Sequence, residues 1–351
     1  MKEILCQYCN SKKVVKAGKR NLKYQSVQKF FCKSCRKYFA DKNLRKSYPE
    51  KLVLNALMSY NLGYTLEQTR NSILQKFKLS VPKTTLHSWI REFSDVCTFT
   101  RIREKAISLS ESEMILSQNF VHHQVYRFQL HQAKLNILLG CENKKFFLLK
   151  DYLEKVFRRE LPEHIFVIPD EELEQRASKL KARLLNFKKI QKENLANKLA
   201  KLGLILANTN RERHQCVQNF MLINDSTTIA TEVPVYLTND DIGYFKTRGF
   251  TFDFESYRTP ITGHIDILQI RNGLIHILDF KPEAEKVNAV NQLTIYALAL
   301  ASRTKLAVKD FKCAWFDDRN YYEFFPLHAV YNKTSQLFPS PSNQTKTHLV
   351  P

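Results

Sequence analysis

Hydrophobic positions change their spacing along the chain, and the changes divide it. Between residues 48 and 95 they fall at helical intervals. Leu52, Leu54, Leu57 and Met58 suit a first helix that Gly63 closes. Thr65 can cap a second helix running through Glu67, Ile73 and Leu74. Ser80-Val81-Pro82 opens a third, with Leu86, Trp89, Ile90 and Phe93 on one face. Three short helices with a glycine turn and a stiff start to the last predict a helix-turn-helix. Residues 96–205 read as mostly helical, because Val121, Val125, Phe128, Leu135 and Leu139 recur at helical spacing. Leu180, Leu184 and Phe187 form a second apolar stripe beside Lys179, Arg183, Lys188 and Lys189. After residue 228 the period shortens to two. Residues 231–237 and 265–270 alternate as strands do, Arg271-Asn272-Gly273 is a hairpin turn, and residues 274–280 are the return strand. Residues 291–302 return to helix. No internal repeat is present.

Composition narrows the class. Net charge is +21 over 351 residues, and residues 1–50 hold 14 Lys/Arg against 3 Asp/Glu. A protein this basic meets a polyanion, most commonly nucleic acid, so DNA is the expected partner. Hydrophobic residues make up 44 %, enough for a real core. No apolar run is long enough to span a bilayer and the start shows no signal-peptide core, so no membrane partner is expected. A cytoplasmic, nucleoid-associated protein follows, with its eight Cys as thiols or metal ligands.

Four of those Cys are spaced for metal. Cys6-x2-Cys9 and Cys32-x2-Cys35 each form a tight knuckle that delivers two thiolates to one tetrahedral Zn²⁺. A basic module of about 40 residues has too little apolar surface to fold unaided. The segment from Cys6 through Gly18, Phe31-Cys32, Cys35 and Tyr38-Phe39 resembles the zinc ribbon at the front of many insertion-sequence transposases. The helix-turn-helix behind it strengthens the likeness, which covers roughly residues 1–95. By that resemblance the third helix enters the major groove, with Lys83, Thr84, Thr85, His87, Ser88 and Arg91 facing base edges or phosphates and Trp89 and Ile90 in the core. A purely structural third helix is the plainer alternative.

Acidic-x-Lys occurs three times, at Glu142-Asn143-Lys144, Asp279-Phe280-Lys281 and Asp310-Phe311-Lys312. Only the middle case ends a strand paired, through Asn272-Gly273, with another strand carrying Gly263-His264-Ile265-Asp266. Hairpin pairing brings Asp266 near Asp279, and side-chain alternation points Lys281 the same way as Asp279. Two carboxylates suit Mg²⁺ or Mn²⁺, with the Phe280 carbonyl as a further ligand. Such an ion activates water and neutralises charge growing on a phosphate, and Lys281 would orient the water or stabilise the pentacovalent state. The plainer alternative is a surface hairpin whose carboxylates pair with nearby Lys and Arg.

Gly263-x2-Asp266, Asp279-x-Lys281 and Gln292-x3-Tyr296, in that order, resemble the RecB-like branch of the PD-(D/E)XK nucleases, over roughly residues 205–330. The resemblance implies a metal-dependent deoxyribonuclease with catalytic Asp266, Asp279, Lys281, Gln292 and Tyr296. It also implies a helix His as an added metal ligand, for which His214 is the candidate against a solvated helix His, and an acidic residue at Glu232 on the preceding strand. After Lys281 only Cys313 remains, and Cys97, Cys141 and Cys216 share no ligand spacing, so no iron–sulfur cluster is expected. No phosphate loop for ATP occurs.

The expected fold class is multidomain α+β. It comprises a zinc ribbon (1–40), a helix-turn-helix (46–95), a helical connecting region (96–205), an α/β restriction-endonuclease-like core with a central mixed sheet (206–333) and a disordered tail (334–351). A DNA-binding regulator or mobile-element protein with an inactive nuclease fold, and a transposase with an RNase H-like core, stay open beside the nuclease. A homodimer would let one site per chain cut both strands.

Overall fold

A computed structural model describes residues 4–21, 24, 26–40, 48–106, 109–122, 124–138, 144–166, 176–185, 187–254 and 260–331. The expected tail (334–351), Leu139, Cys141 and residues 41–47, between the expected ribbon and the helices, lie outside the described residues. The chain divides into two compact units, residues 1–95 and 96–351.

The first unit begins with a three-stranded antiparallel sheet, β1 (Val14–Asn21), β2 (Ser26–Cys32) and β3 (Tyr38–Ala40), in the order β1-β2-β3. Its small core holds Cys6, Phe30, Cys32 and Phe39. Three helices follow, α1 (Glu50–Asn61), α2 (Leu66–Phe77) and α3 (Lys83–Phe93). Gly63, at φ +97°, supplies the left-handed turn after α1. Thr65 and Gln68 form a reciprocal capping box at α2. Pro82 sets the extended entry to α3, whose Leu86, Trp89 and Ile90 are buried.

The second unit is α+β, built on a mixed eight-stranded sheet. In chain order its elements are α4 (Glu111–Met114), β4 (Ile115–His122), β5 (Gln124–His131), α5 (Gln132–Leu138), α6 (Phe147–Phe157), β6 (Ala182–Arg183), β7 (Ile190–Gln191), α7 (Leu195–Leu206), α8 (Arg213–Asn224), β8 (Thr228–Leu237), α9 (Asn239–Thr247), β9 (Asp253–Phe254), β10 (Ile261–Arg271), β11 (Leu274–Phe280), α10 (Val290–Thr304), β12 (Phe311–Phe316), β13 (Tyr321–Phe324) and α11 (Pro326–Val330). Sheet order is β4-β5-β8-β10-β11-β12-β13-β7. Among the strands named here the β11–β12 pair alone is parallel, and α10 makes the crossover between its strands. α10 packs along β8, β10, β11 and β12 with most of its residues buried. α8 packs on α7 and β8.

The expected strands at 231–237, 265–270 and 274–280 fall within β8, β10 and β11, and the 291–302 helix falls within α10. Asn272 and Gly273, at φ +52° and +70°, form the turn. Their left-handed pair matches the twist that a two-residue hairpin needs.

The helical reading of residues 96–205 is overturned where it placed Val121, Val125 and Phe128 on one helix. Ile115–His122 and Gln124–His131 pair as the antiparallel strands β4 and β5, and Val121 and Val125 are cross-strand partners. Four-residue spacing fits both a helical turn and two arms of a tight hairpin, so periodicity alone could not separate them. The hairpin joins the central sheet through β5 and β8, so this stretch is part of the core rather than a connector. Leu180, Leu184 and Phe187 pack against that core around the short strand β6 instead of along a helix. Among the described residues, no helix is long and apolar enough to cross a membrane.

Candidate functional site

The four N-terminal cysteines converge. The Cys6 and Cys35 Sγ atoms lie 3.5 Å apart and those of Cys9 and Cys32 lie 3.6 Å apart. All four sulfurs fall within 4.8 Å of one another. A tetrahedral zinc with roughly 2.3 Å bonds to sulfur needs S···S spacings of roughly 3.8 Å, so the cluster could hold a structural zinc. Both knuckles turn the same way, because Asn10 and Arg36, each directly after the second Cys of its pair, sit at φ +53° and +55°. The backbone N–H groups of Cys35 and Ser34 pull the Cys32 thiol down to about 6 against the opposing effect of burial. Against the pull of the Ser11 backbone N–H, burial and the other three thiols push Cys9 up to about 12, so without a metal the four sulfurs share their protons unevenly.

On α3, Lys83, Thr84, His87, Ser88 and Arg91 are exposed, and Thr85 is half-buried. Lys83 is ion-paired with Glu67 on α2 at 2.5 Å. Its charge is therefore partly spent within the helix pair.

In the second unit, the β10–β11 register sets Ile267 opposite Leu278 and Leu268 opposite Ile277. Continued one step, it sets Asp266 opposite Asp279. Nε2 of His214, in the first turn of α8, stands 3.5 Å from Asp266 Oδ2. The ligand atoms of His214, Asp266 and Asp279 lie within 4.8 Å of one another. The Phe280 backbone N–H donates to Asp266 Oδ2 at 3.2 Å. Lys281 Nζ stands 2.9 Å from Asp279 Oδ2 as an ion pair. Both Asp279 oxygens are otherwise buried with no hydrogen-bond partner. A buried carboxylate left in this state is costly unless a cation completes it, so this donor set fits a hard divalent ion.

The charges are interdependent. Burial, then the neighbouring Asp266 charge, holds the Asp279 carboxyl well above the usual range despite Lys281. Burial also pushes Asp266 up, but His214, Asp279 and Lys281 together bring it below its ordinary value. Glu232 is raised to about 8, first by burial and then by the Asp266 charge. Its Oε1 accepts from Gln218 Nε2 at 2.6 Å. Glu232 also sits at φ +52° inside β8, and the β8–β10 ladder runs from Val233–Ile265 to Thr231–Ile267 without pairing Glu232 to Asp266. A left-handed non-glycine residue in a strand is strained, and here the strain falls at the step of the β8–β10 ladder that carries Asp266.

On α10, Gln292 Nε2 donates to the Tyr296 hydroxyl at 3.0 Å. The Tyr296 ring lies over Gly263, where an added Cβ would come 2.2 Å from the ring. Gly263 is therefore required by the close approach of α10 to β10.

His214, Glu232, Asp266, Lys281, Gln292 and Tyr296 line a cavity of about 390 Å³, and Asp279 lies outside its lining. Sequence reading missed further lining residues, because β4, β5 and the segment after α6 contribute His122, Tyr126, Phe166 and Arg176. The alternation through residues 124–131 was the available signal. Cys97 and Cys313 are buried and Cys216 is half-buried. Comparisons with protein families, with curated proteins and with solved structures find no match to this chain.

Proposed function

We propose that this chain is a divalent-metal-dependent deoxyribonuclease of the PD-(D/E)XK type. Its second unit would serve as a restriction-endonuclease-like core, and its first as a zinc ribbon and helix-turn-helix that bring it to DNA. The observation that carries the reading is the convergence of His214, Asp266 and Asp279 within 4.8 Å, with the Lys281 ammonium 2.9 Å from Asp279. His214, Asp266 and Asp279 would hold Mg²⁺ or Mn²⁺, which supplies Lewis-acid activation of water and charge neutralisation at the phosphate. Lys281 offers its positive charge to the attacking water or to the non-bridging oxygens as negative charge grows there. A new bond from water oxygen to phosphorus forms, one P–O ester bond breaks, and the leaving oxygen takes a proton. Gln292, hydrogen-bonded to Tyr296, would orient the strand.

Plasmid nicking tests the reading. Wild type is expected to nick with Mg²⁺ or Mn²⁺ and not with EDTA. Asp279→Ala should lower nicking to background while retaining DNA binding in a gel-shift assay. Undiminished nicking by Asp279→Ala would remove the proposal.

A further inference from the structure

Among the charged groups of the site, Lys281 is the one whose aim local structure fixes least. β11 ends at Phe280, so Lys281 lies just past the strand and the pleat no longer directs its side chain. Its N–H still donates to the Phe316 carbonyl at 2.9 Å. After it, Pro282 has its φ fixed by the ring, and Glu283 sits at φ +58°. That left-handed conformation is unfavourable for a residue with a Cβ, and it persists only where surrounding contacts over-determine it.

Those contacts come from the neighbouring strand. The β11–β12 register sets Asp279 beside Trp315 and Phe280 beside Phe316. Continued one step, it sets Lys281 beside Asp317. Trp315 Nε1 donates to the Ala284 carbonyl at 3.1 Å, and the Ala284 N–H donates to Asp317 Oδ2 at 2.9 Å. Two side chains thus grip both backbone groups of one residue, and all three residues are buried. Asp317 Oδ1 accepts from the Arg319 and Asn320 N–H groups at 2.7 and 2.6 Å. Its carboxylate is engaged by backbone N–H groups, while the Lys281 ammonium pairs with Asp279 at 2.9 Å. Asn197 of α7 donates to the Asp317 and Asn320 carbonyls at 2.8 and 2.9 Å and anchors the far side of this clamp.

We propose that Trp315 and Asp317 are positioning residues for Lys281. By gripping Ala284 they hold the left-handed turn at Glu283, and that turn keeps the ammonium on Asp279 and at the cavity that Lys281 lines. This rests on the nuclease reading above and adds to it two residues that act through Lys281 without touching substrate or metal. A lysine carries its charge on a long flexible stem. Fixing the backbone from which that stem starts removes much of the freedom the ammonium would otherwise have to leave the site. Releasing the turn returns that freedom, and misplacing a reacting group by about 1 Å can cost about 10²-fold in rate.

Two readouts on the full-length protein test this, each comparing wild type with Trp315→Phe and Asp317→Asn. Trp315→Phe removes the indole N–H, and Asp317→Asn removes the charge that the Ala284 N–H meets. The first readout is the initial rate of lysine acetylation in metal-free buffer, followed residue by residue by mass spectrometry. Lys281 should label at least about five-fold faster in each variant, the scale of one lost hydrogen bond. Lys134, buried in the core, should stay protected, and the exposed Lys286 should label as in wild type. The second readout is single-turnover DNA cleavage against Mg²⁺ concentration. Both variants should cut at least about ten-fold more slowly. The half-maximal Mg²⁺ concentration should not move, because the proposed ligands His214, Asp266 and Asp279 are untouched. Unchanged Lys281 labelling in either variant overturns this inference. So does Lys281 labelling that rises together with that of Lys134, which marks a general loosening of the fold. Undiminished cleavage, or a shifted Mg²⁺ requirement, overturns it as well. Each of these results leaves the proposed function standing when wild type cuts DNA. A wild type that cuts no DNA removes the proposed function and this inference together.

Discussion

Asp279 shows the tension between folding and chemistry at a single residue. Its carboxyl group is buried beside that of Asp266, and Lys281 offsets the charge only in part. Its folded pKa lies above the unfolded value, so the sign of the stability effect is fixed. Below the ordinary carboxyl range both states are protonated and the residue costs nothing. As pH rises through that range the unfolded chain releases its proton while the folded one retains it, and stability falls until the folded pKa is reached. Asp279→Asn removes this penalty. In metal-free buffer the variant should melt above wild type at pH 8, by on the order of 1–3 kcal/mol. The gap should close toward pH 4, while cleavage is lost at every pH. Thermal melts across that range check it, and a variant less stable than wild type at pH 8 would show that the carboxylate is not strained. Divalent ion should narrow the gap by stabilising wild type alone.

Contacts between elements shape the site as firmly as the carboxylates do. Tyr296 of α10 occupies the space that any side chain at position 263 of β10 would need. Gly263→Ala should therefore destabilise the protein by about 1–3 kcal/mol, the usual cost of overpacking, and depress cleavage by displacing α10. Adding Tyr296→Leu to Gly263→Ala should recover much of the stability but not the cleavage. Denaturant unfolding of the two variants measures this, and a fully stable Gly263→Ala would refute the packing account. The β4–β5 hairpin carries the opposite lesson about legibility. Val121 and Val125 look like successive turns of a helix, yet they face each other across two strands and both are largely exposed. The β10–β11 hairpin was legible because Asn272-Gly273 is a turn signal with a steric cause. No comparable dipeptide marks the β4–β5 turn.

At the scale of the whole molecule, the two units draw stability from different sources. The second has an extensive apolar core beneath its sheet. Among the described residues, the N-terminal ribbon centres on Cys6, Phe30, Cys32 and Phe39, with Ile4, Val14 and Cys35 packed against them, so zinc should supply much of its folding free energy. Elemental analysis is expected to find one zinc per chain. Cys9→Ser should lose that zinc and make the first 40 residues sensitive to limited proteolysis, while the larger unit still melts as in wild type. A zinc-free chain with a protease-resistant ribbon would overturn this expectation.

Features that depend on neighbours in the chain were open to reading from residue order. Two Cys-x2-Cys knuckles, an Asn-Gly turn, a Thr65 cap and the pairing of Gln292 with Tyr296 each need a spacing of a few residues and a known backbone geometry. Which distant groups share the cavity was decided by the tertiary structure. His122 and His264 are 142 positions apart, and the approach of His214 to Asp266 depends on how α8 lies against the sheet. Sequence spacing determines local conformation through sterics and hydrogen bonding. Convergence across the sheet depends on how buried surfaces from many segments pack at once, and no short window of the chain contains that information.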